Sequence, residues 1–189
     1  MTKVPVSWTG VAVLVGVALF VAPVVALHIL QPGYAPSNQL MSELALGQFG
    51  WAMAIAFTGL ALAVFGILVA IAGVGASLWL RFILAAAALS FLAAGIFPLG
   101  ATSEIHIAAI ATAFVLSVLA MYLFPTSAGR AAAAASRSIS WSLAVGVAIS
   151  VALGHSALPM GVGQRLAALC LIVWLVVLGW RFANGRYAA

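Results

Sequence analysis

The chain has 189 residues, 67% of them apolar and only 5% charged, with a mean hydropathy of +1.31. A water-soluble domain of this size needs a solvated surface, and so little charge excludes one. The net charge of +5 would point to nucleic acid in a soluble protein, but here the few basic residues are scattered and read as topology signals.

Crossing about 30 Å of hydrocarbon takes about 20 apolar residues in a helix. The sequence therefore predicts an all-α fold, an antiparallel bundle of six transmembrane helices in one domain over 1–189. The spans fall near 8–30, 48–72, 78–97, 105–124, 139–158 and 166–182. The start, with Lys3 before an apolar stretch that runs to Leu30, resembles a secretory signal. That stretch exceeds the roughly 7–15 residues of a signal core and no small-x-small site closes it, so a retained first helix is expected.

The longest connection follows, from Gln31 to Gly47. Within it Pro36 is placed to open a short helix, with Leu40, Met41 and Leu44 on one face and Gly47 as its stop. Segment 31–47 is expected to form an amphipathic lid lying on, or tucked into, the outer end of the bundle. Later breaks are Gly73-Val74-Gly75, Pro98-Leu99-Gly100, Pro125 through Gly129, and Pro159-Met160-Gly161. Each odd-numbered span thus ends in a Pro-Gly or Pro-x-Gly turn, compatible with three related hairpins or simply with turn chemistry. The Ala131–Ala135 run between Arg130 and Arg137 favours helix at the membrane surface. The last span is tight: fifteen residues separate Arg165 from Arg181, and both must snorkel outward. Cys170 lies in an apolar run and reads as a small buried side chain. Small residues such as Gly10, Gly16, Gly59 and Gly154 predict close helix contacts.

Six spans put Lys3, Arg81, Arg130, Arg137, Arg181 and Arg186 on one side and only Arg165 on the other. The positive-inside rule then makes both termini cytoplasmic, in a bacterial cytoplasmic (inner) membrane. Trp8, Trp79, Trp141 and Trp180 fall at the inner helix ends and Trp51 at an outer one. Trp174 lies deep enough to be a packing residue.

The outer border holds all three histidines, His28, His106 and His155, and both acids, Glu43 and Glu104. Ionisable side chains at a bilayer are costly, so these are the candidate functional residues. The leading reading is an outward-facing pocket for a lipid or other amphiphile, with no cofactor, lined by Glu43, His106, His155, His28, Arg165, Tyr34 and Ser42. Arg165 would grip a phosphate or carboxylate. A second reading is a zinc site from His28, His106, His155 and Glu104, serving a metal-assisted hydrolase of lipids with Ser42, Ser103 or Ser156 as helpers. No two histidines share a local ligand spacing, so only the fold can bring them together. A third is a structural or accessory subunit, as a homo-oligomer or beside another membrane protein. Structural roles compete at each residue. Glu104 suits a helix N-terminus, His106 a hydrogen bond to a loop carbonyl, His28 interfacial water, and Glu43 a pairing with Arg165 across the lid. Mid-membrane charges and a phosphate-binding glycine loop are missing, which disfavours ion transport and nucleotide-driven work.

Several short motifs also carry a resemblance. Gln31-Pro-Gly-Tyr-x-Pro, Ser42-Glu43-Leu44-Ala45-x-Gly47, Gly50-Trp51, Phe97-Pro98 with His106, Gly163-x-Arg165 and Trp174 follow one another from about Leu27 to Arg181. In this order they resemble the bacterial membrane family catalogued as domain of unknown function 998. The resemblance implies a six-helix membrane protein with no assigned activity. In that family an acid often follows the Phe-Pro pair closely and commonly precedes the arginine. Here the first neighbourhood reads Leu99 to Glu104, and the second position is Gln164.

Overall fold

The computed structural model describes residues 6–128 and 130–185. Lys3 and Arg186, two of the basic residues used to orient the chain, lie outside the described residues, as do the side chains of Arg130 and Ala131–Ala135. Six long helices follow: α1 Val6–Leu30, α2 Ala52–Ala72, α3 Leu78–Ile96, α4 Ser103–Ser127, α5 Arg130–Gly154 and α6 Met160–Ala183. Each holds a segment long and apolar enough to cross a membrane. The protein is an all-helical, multi-pass membrane protein.

Each helix packs on the next in sequence, and α6 returns to pack on α1, closing a ring. A further contact between α2 and α6 crosses its middle. The outward faces carry large exposed apolar side chains, among them Phe65, Leu89, Val115, Ile149 and Leu169. In hydrocarbon such side chains need no cover, because lipid tails are as apolar as they are.

What holds the helices together is then close packing rather than apolar burial alone. A methyl group added at Gly16 would sit 2.5 Å from the Gly59 carbonyl oxygen and 2.6 Å from the Ala63 nitrogen. The α1 and α2 backbones therefore touch directly. Deeper in, Trp174 is only 1% exposed, its ring edge-on to Phe124 at 5.5 Å. Its indole N–H donates to the fully buried Ser140 hydroxyl at 2.9 Å, so the buried polar tip is satisfied.

Boundaries differ from the sequence reading at several places, among them the start of α2 at Ala52 rather than 48 and of α5 at Arg130 rather than 139. Helix α4 runs through Pro125 to Ser127, because a proline this near a helix end forfeits one bond without breaking the helix. Helix α5 stops at Gly154, with 155–158 forming a turn, rather than reaching 158. Helix α6 starts at Met160, six residues before position 166. Arg165 lies inside it, because the guanidinium finds its partners within the protein.

Gly16→Leu should force α1 off α2 and cost at least the ~1–3 kcal/mol typical of overpacking. Lower apparent melting temperature in detergent, and loss of the monodisperse peak on size exclusion, would register it. Gly33→Ala, with open space around the added methyl, should change neither.

Candidate functional site

Helices α1, α3 and α5 end, and α2, α4 and α6 begin, at the face that carries residues 31–47. This segment folds against the helix ends. Gln31 staples its two ends, its amide donating to the carbonyls of Leu44 and Gln48, both at 2.9 Å. The helical part begins at Met41, five residues later than Pro36, as a 3-10 helix over Met41–Leu46. The delay has a local cause. Asn38 and Gln39 N–H both donate to the Ala35 carbonyl, and the Gln39 side chain accepts from Ala35 N–H at 2.7 Å. That closes a turn before Leu40, which is extended. Leu44 is fully buried and Met41 and Ser42 nearly so, so the lid is tucked between the helices rather than laid across them.

Arg165 fastens it. One terminal nitrogen donates to the carbonyls of Gln39 in the lid (2.9 Å) and Gly161 in α6 (2.8 Å). The other meets His28 Nε2 on α1 (3.1 Å) and donates to the Tyr34 hydroxyl. The hydroxyl passes the bond on to the Leu40 carbonyl at 2.9 Å, and the guanidinium stands over the Tyr34 ring at 5.5 Å. Burial pushes the Tyr34 phenol above its ordinary range, more than the neighbouring guanidinium lowers it, so it stays a donor at neutral pH. Gly161 makes room for the lid: a methyl there would lie within 2.7 Å of the Pro36, Ser37 and Gln39 carbonyl oxygens.

Glu43 does not bond to Arg165 directly, contrary to the pairing expected. Its carboxylate accepts from Leu40 N–H (2.8 Å) and from the Gln39 amide (3.2 Å), both in the lid. Acid and guanidinium thus both hold Gln39, while Leu40 is held by the Glu43 carboxylate and the Tyr34 hydroxyl. Gln164 adds a third hold, its side-chain oxygen accepting from Met41 N–H at 2.6 Å.

The three histidines part company. Each Nδ1 faces a backbone carbonyl at a helix end: His28 to Val24 at 2.6 Å, His155 to Val151 at 2.8 Å, His106 to Ala94 and Phe97 at 3.0 and 2.9 Å. The His106 contact has a definite origin. The Ala94 carbonyl would ordinarily accept from residue 98, and Pro98 has no N–H to give. His106, 1% exposed, supplies the missing donor from the next helix, its ring edge-on to Phe57 at 5.3 Å. Its Nε2 is buried without a partner. His155 is exposed in the turn after α5. Glu104 is exposed in the first turn of α4, the dipole position expected of it. The four-ligand zinc set is therefore not assembled: among the described residues no group of three or more His, Cys, Asp or Glu comes together to hold a metal. His28 in particular has both ring nitrogens engaged.

Beneath the lid lies a narrow cavity of about 20 Å³. Met41 and Ser42 line it from the lid, together with Phe20 of α1, Phe57 of α2, Phe114 of α4 and Gln164 of α6. No charged side chain lines it, and Gln164, absent from the expected site, is one of its two polar groups. Residues 14–181 match the family described as a protein of unknown function, DUF998. The chain belongs to this family. No curated protein and no solved structure matches it.

Several of the motifs that linked the sequence to DUF998 belong to the lid and its fastening. Gln31 staples it, Tyr34, Glu43 and Arg165 hold its central turn, and His106 answers Pro98. Gln164 needs only its neutral oxygen to accept from Met41 N–H. The Pro98–His106 relation was open to sequence reasoning, since a proline just past a helix end orphans a carbonyl one turn back. His106→Phe should cost ~1–3 kcal/mol, the penalty for stranding buried carbonyls. His155→Ala, at an exposed site, should cost under ~0.5 kcal/mol. Thermal unfolding of the two variants in one detergent distinguishes them.

Proposed function

We propose that the protein binds a lipid or other amphiphile in the cleft beneath the lid, at the extracytoplasmic face of a bacterial inner membrane. Both termini are then cytoplasmic. The observation that carries this reading is the cleft itself, an apolar gap among four helices whose roof is a separately fastened segment. In the closed state it has room for only one or two waters. An acyl chain enters when the lid lifts and the flexible Met41 and Met53 side chains give way.

The polar lining narrows the ligand. Arg165 is spent on the lid, so it does not grip an anionic head group while the lid is closed. Of the seven residues expected to line the pocket, Ser42 alone borders the cleft. His28, Tyr34, Glu43 and Arg165 form the fastening, and His106 and His155 serve helix ends. Gln164 Oε1 is fixed by Met41 N–H, which leaves its Nε2 group turned to other partners, and among the described residues none accepts from it. A hydroxyl or carbonyl of an uncharged amphiphile suits Gln164 Nε2 and Ser42 Oγ. A phosphate does not, since no cation is free to neutralise it.

Lipid extraction and native mass spectrometry of the purified protein should find about one neutral amphiphile per chain. Ala168→Phe, which fills the cleft wall, should abolish retention. Gln164→Glu keeps an acceptor for Met41 but removes the donor, and should weaken retention about tenfold, equivalent to about 1.4 kcal/mol. Protein that purifies lipid-free, with Ala168→Phe indistinguishable from the parent, overturns the reading. Sidedness is checked by Gly33→Cys in a Cys170→Ser background. A membrane-impermeant maleimide should label it on intact cells.

A further inference from the structure

The contact between His28 and Arg165 exists in only one protonation state. His28 Nδ1 lies 2.6 Å from the Val24 carbonyl, which can only accept, so Nδ1 carries the proton. In the neutral imidazole Nε2 is then a bare acceptor, and Arg165 donates to it across 3.1 Å. Arginine does not give up its own proton in proteins. Proton uptake at Nε2 would set two N–H donors and two cations against each other. We propose that this contact is a proton-released latch: protonating His28 frees Arg165 and opens the 31–47 lid.

Among the described residues no carboxylate bonds to His28 or Arg165 to absorb the second charge. From the lid, Tyr34 presents its ring edge-on to His28 at 5.1 Å, and its hydroxyl is already shared between Arg165 and the lid carbonyls. The Glu43 carboxylate is held by Leu40 N–H and the Gln39 amide. Helix α2, packed against α1, has no titratable side chain, and at this end α6 brings Arg165 alone. When the guanidinium withdraws, it takes its donors from the Gln39 carbonyl and the Tyr34 hydroxyl at the same moment. Three of the four groups it holds belong to α1 and the lid, so one proton loosens the whole fastening. The latch regulates access to the proposed cleft and in that sense rests on the binding reading, but it operates with no ligand present.

The test is amide hydrogen exchange on the purified protein in phosphatidylcholine nanodiscs, corrected for the intrinsic pH dependence of exchange. Protection over residues 40–46 should fall about tenfold or more between about pH 7.5 and about pH 5. Amides in the middle of α2 and α4 should stay protected and so report an intact fold. His28→Gln retains a neutral acceptor that cannot be protonated, and should keep the lid protected at both pH values. His28→Leu lacks the acceptor and should leave it exchanging fast at both. A parent protein equally protected at both pH values overturns the latch. So does acid loss of protection that persists in His28→Gln, which would assign the titration to another group such as Glu43. The exchange test reads lid opening and the mass spectrum reads retained amphiphile, so a flat profile leaves the lipid result standing, and a lipid-free preparation leaves the exchange result standing.

Discussion

A backbone carbonyl facing hydrocarbon has no water to turn to, and this requirement organises the face of the protein that bears the lid. Three helices end there, α1, α3 and α5, and the last turn of any helix leaves carbonyls without intrahelical donors. Each receives an imidazole N–H: from His28 and His155 within the same chain turn, and from His106 across to α3. The even-numbered helices end at the other face and use other means. At the close of α6 the Asn184 amide donates to the Trp180 carbonyl at 2.7 Å. The lid extends the same logic, since the irregular backbone of residues 35–41 is bonded to Arg165, Tyr34, Glu43, Gln39 and Gln164.

Arg165 is unusual among partly buried cations in being held by neutral acceptors rather than by a carboxylate. A guanidinium suits this role because its planar fork spreads donors toward several carbonyls at once, which a lysine ammonium on a single stem does not. Glu43 offsets its charge from the other side of the Gln39–Leu40 turn without touching it. The arrangement avoids the desolvation cost of a dry ion pair and still joins α1, α6 and the lid.

Much of the fold was legible in the amino acids. Six apolar segments, the buried Trp174 and the helix-start position of Glu104 follow from hydropathy, spacing and dipole arguments, and the folded chain agrees. The start of α6 did not follow, because a window that penalises arginine cannot know that Arg165 is answered by four partners, most of them distant in sequence. The candidate site was legible as a location but not as a chemistry. Histidines gathered at one face looked like potential ligands of a common centre, whereas they gather because alternate helices terminate there and every terminus needs a donor. Glu43 and Arg165 were rightly placed together in the lid region. Their link through Gln39 and Leu40 depends on a backbone turn that no side-chain pattern announces.

The span of the Arg165 contacts has a bearing on how the chain is made. His28 and Tyr34 lie 137 and 131 residues before the arginine they bond. During synthesis the first five helices enter the bilayer before the sixth exists, and through that interval the Gln39 carbonyl lacks its guanidinium donor. Assembly of this face therefore waits for α6. A ribosome stalled, or a chain truncated, ahead of α6 would present an open loop to quality-control proteases, while the α1–α2 hairpin at its base, built from neighbouring segments, would already be packed.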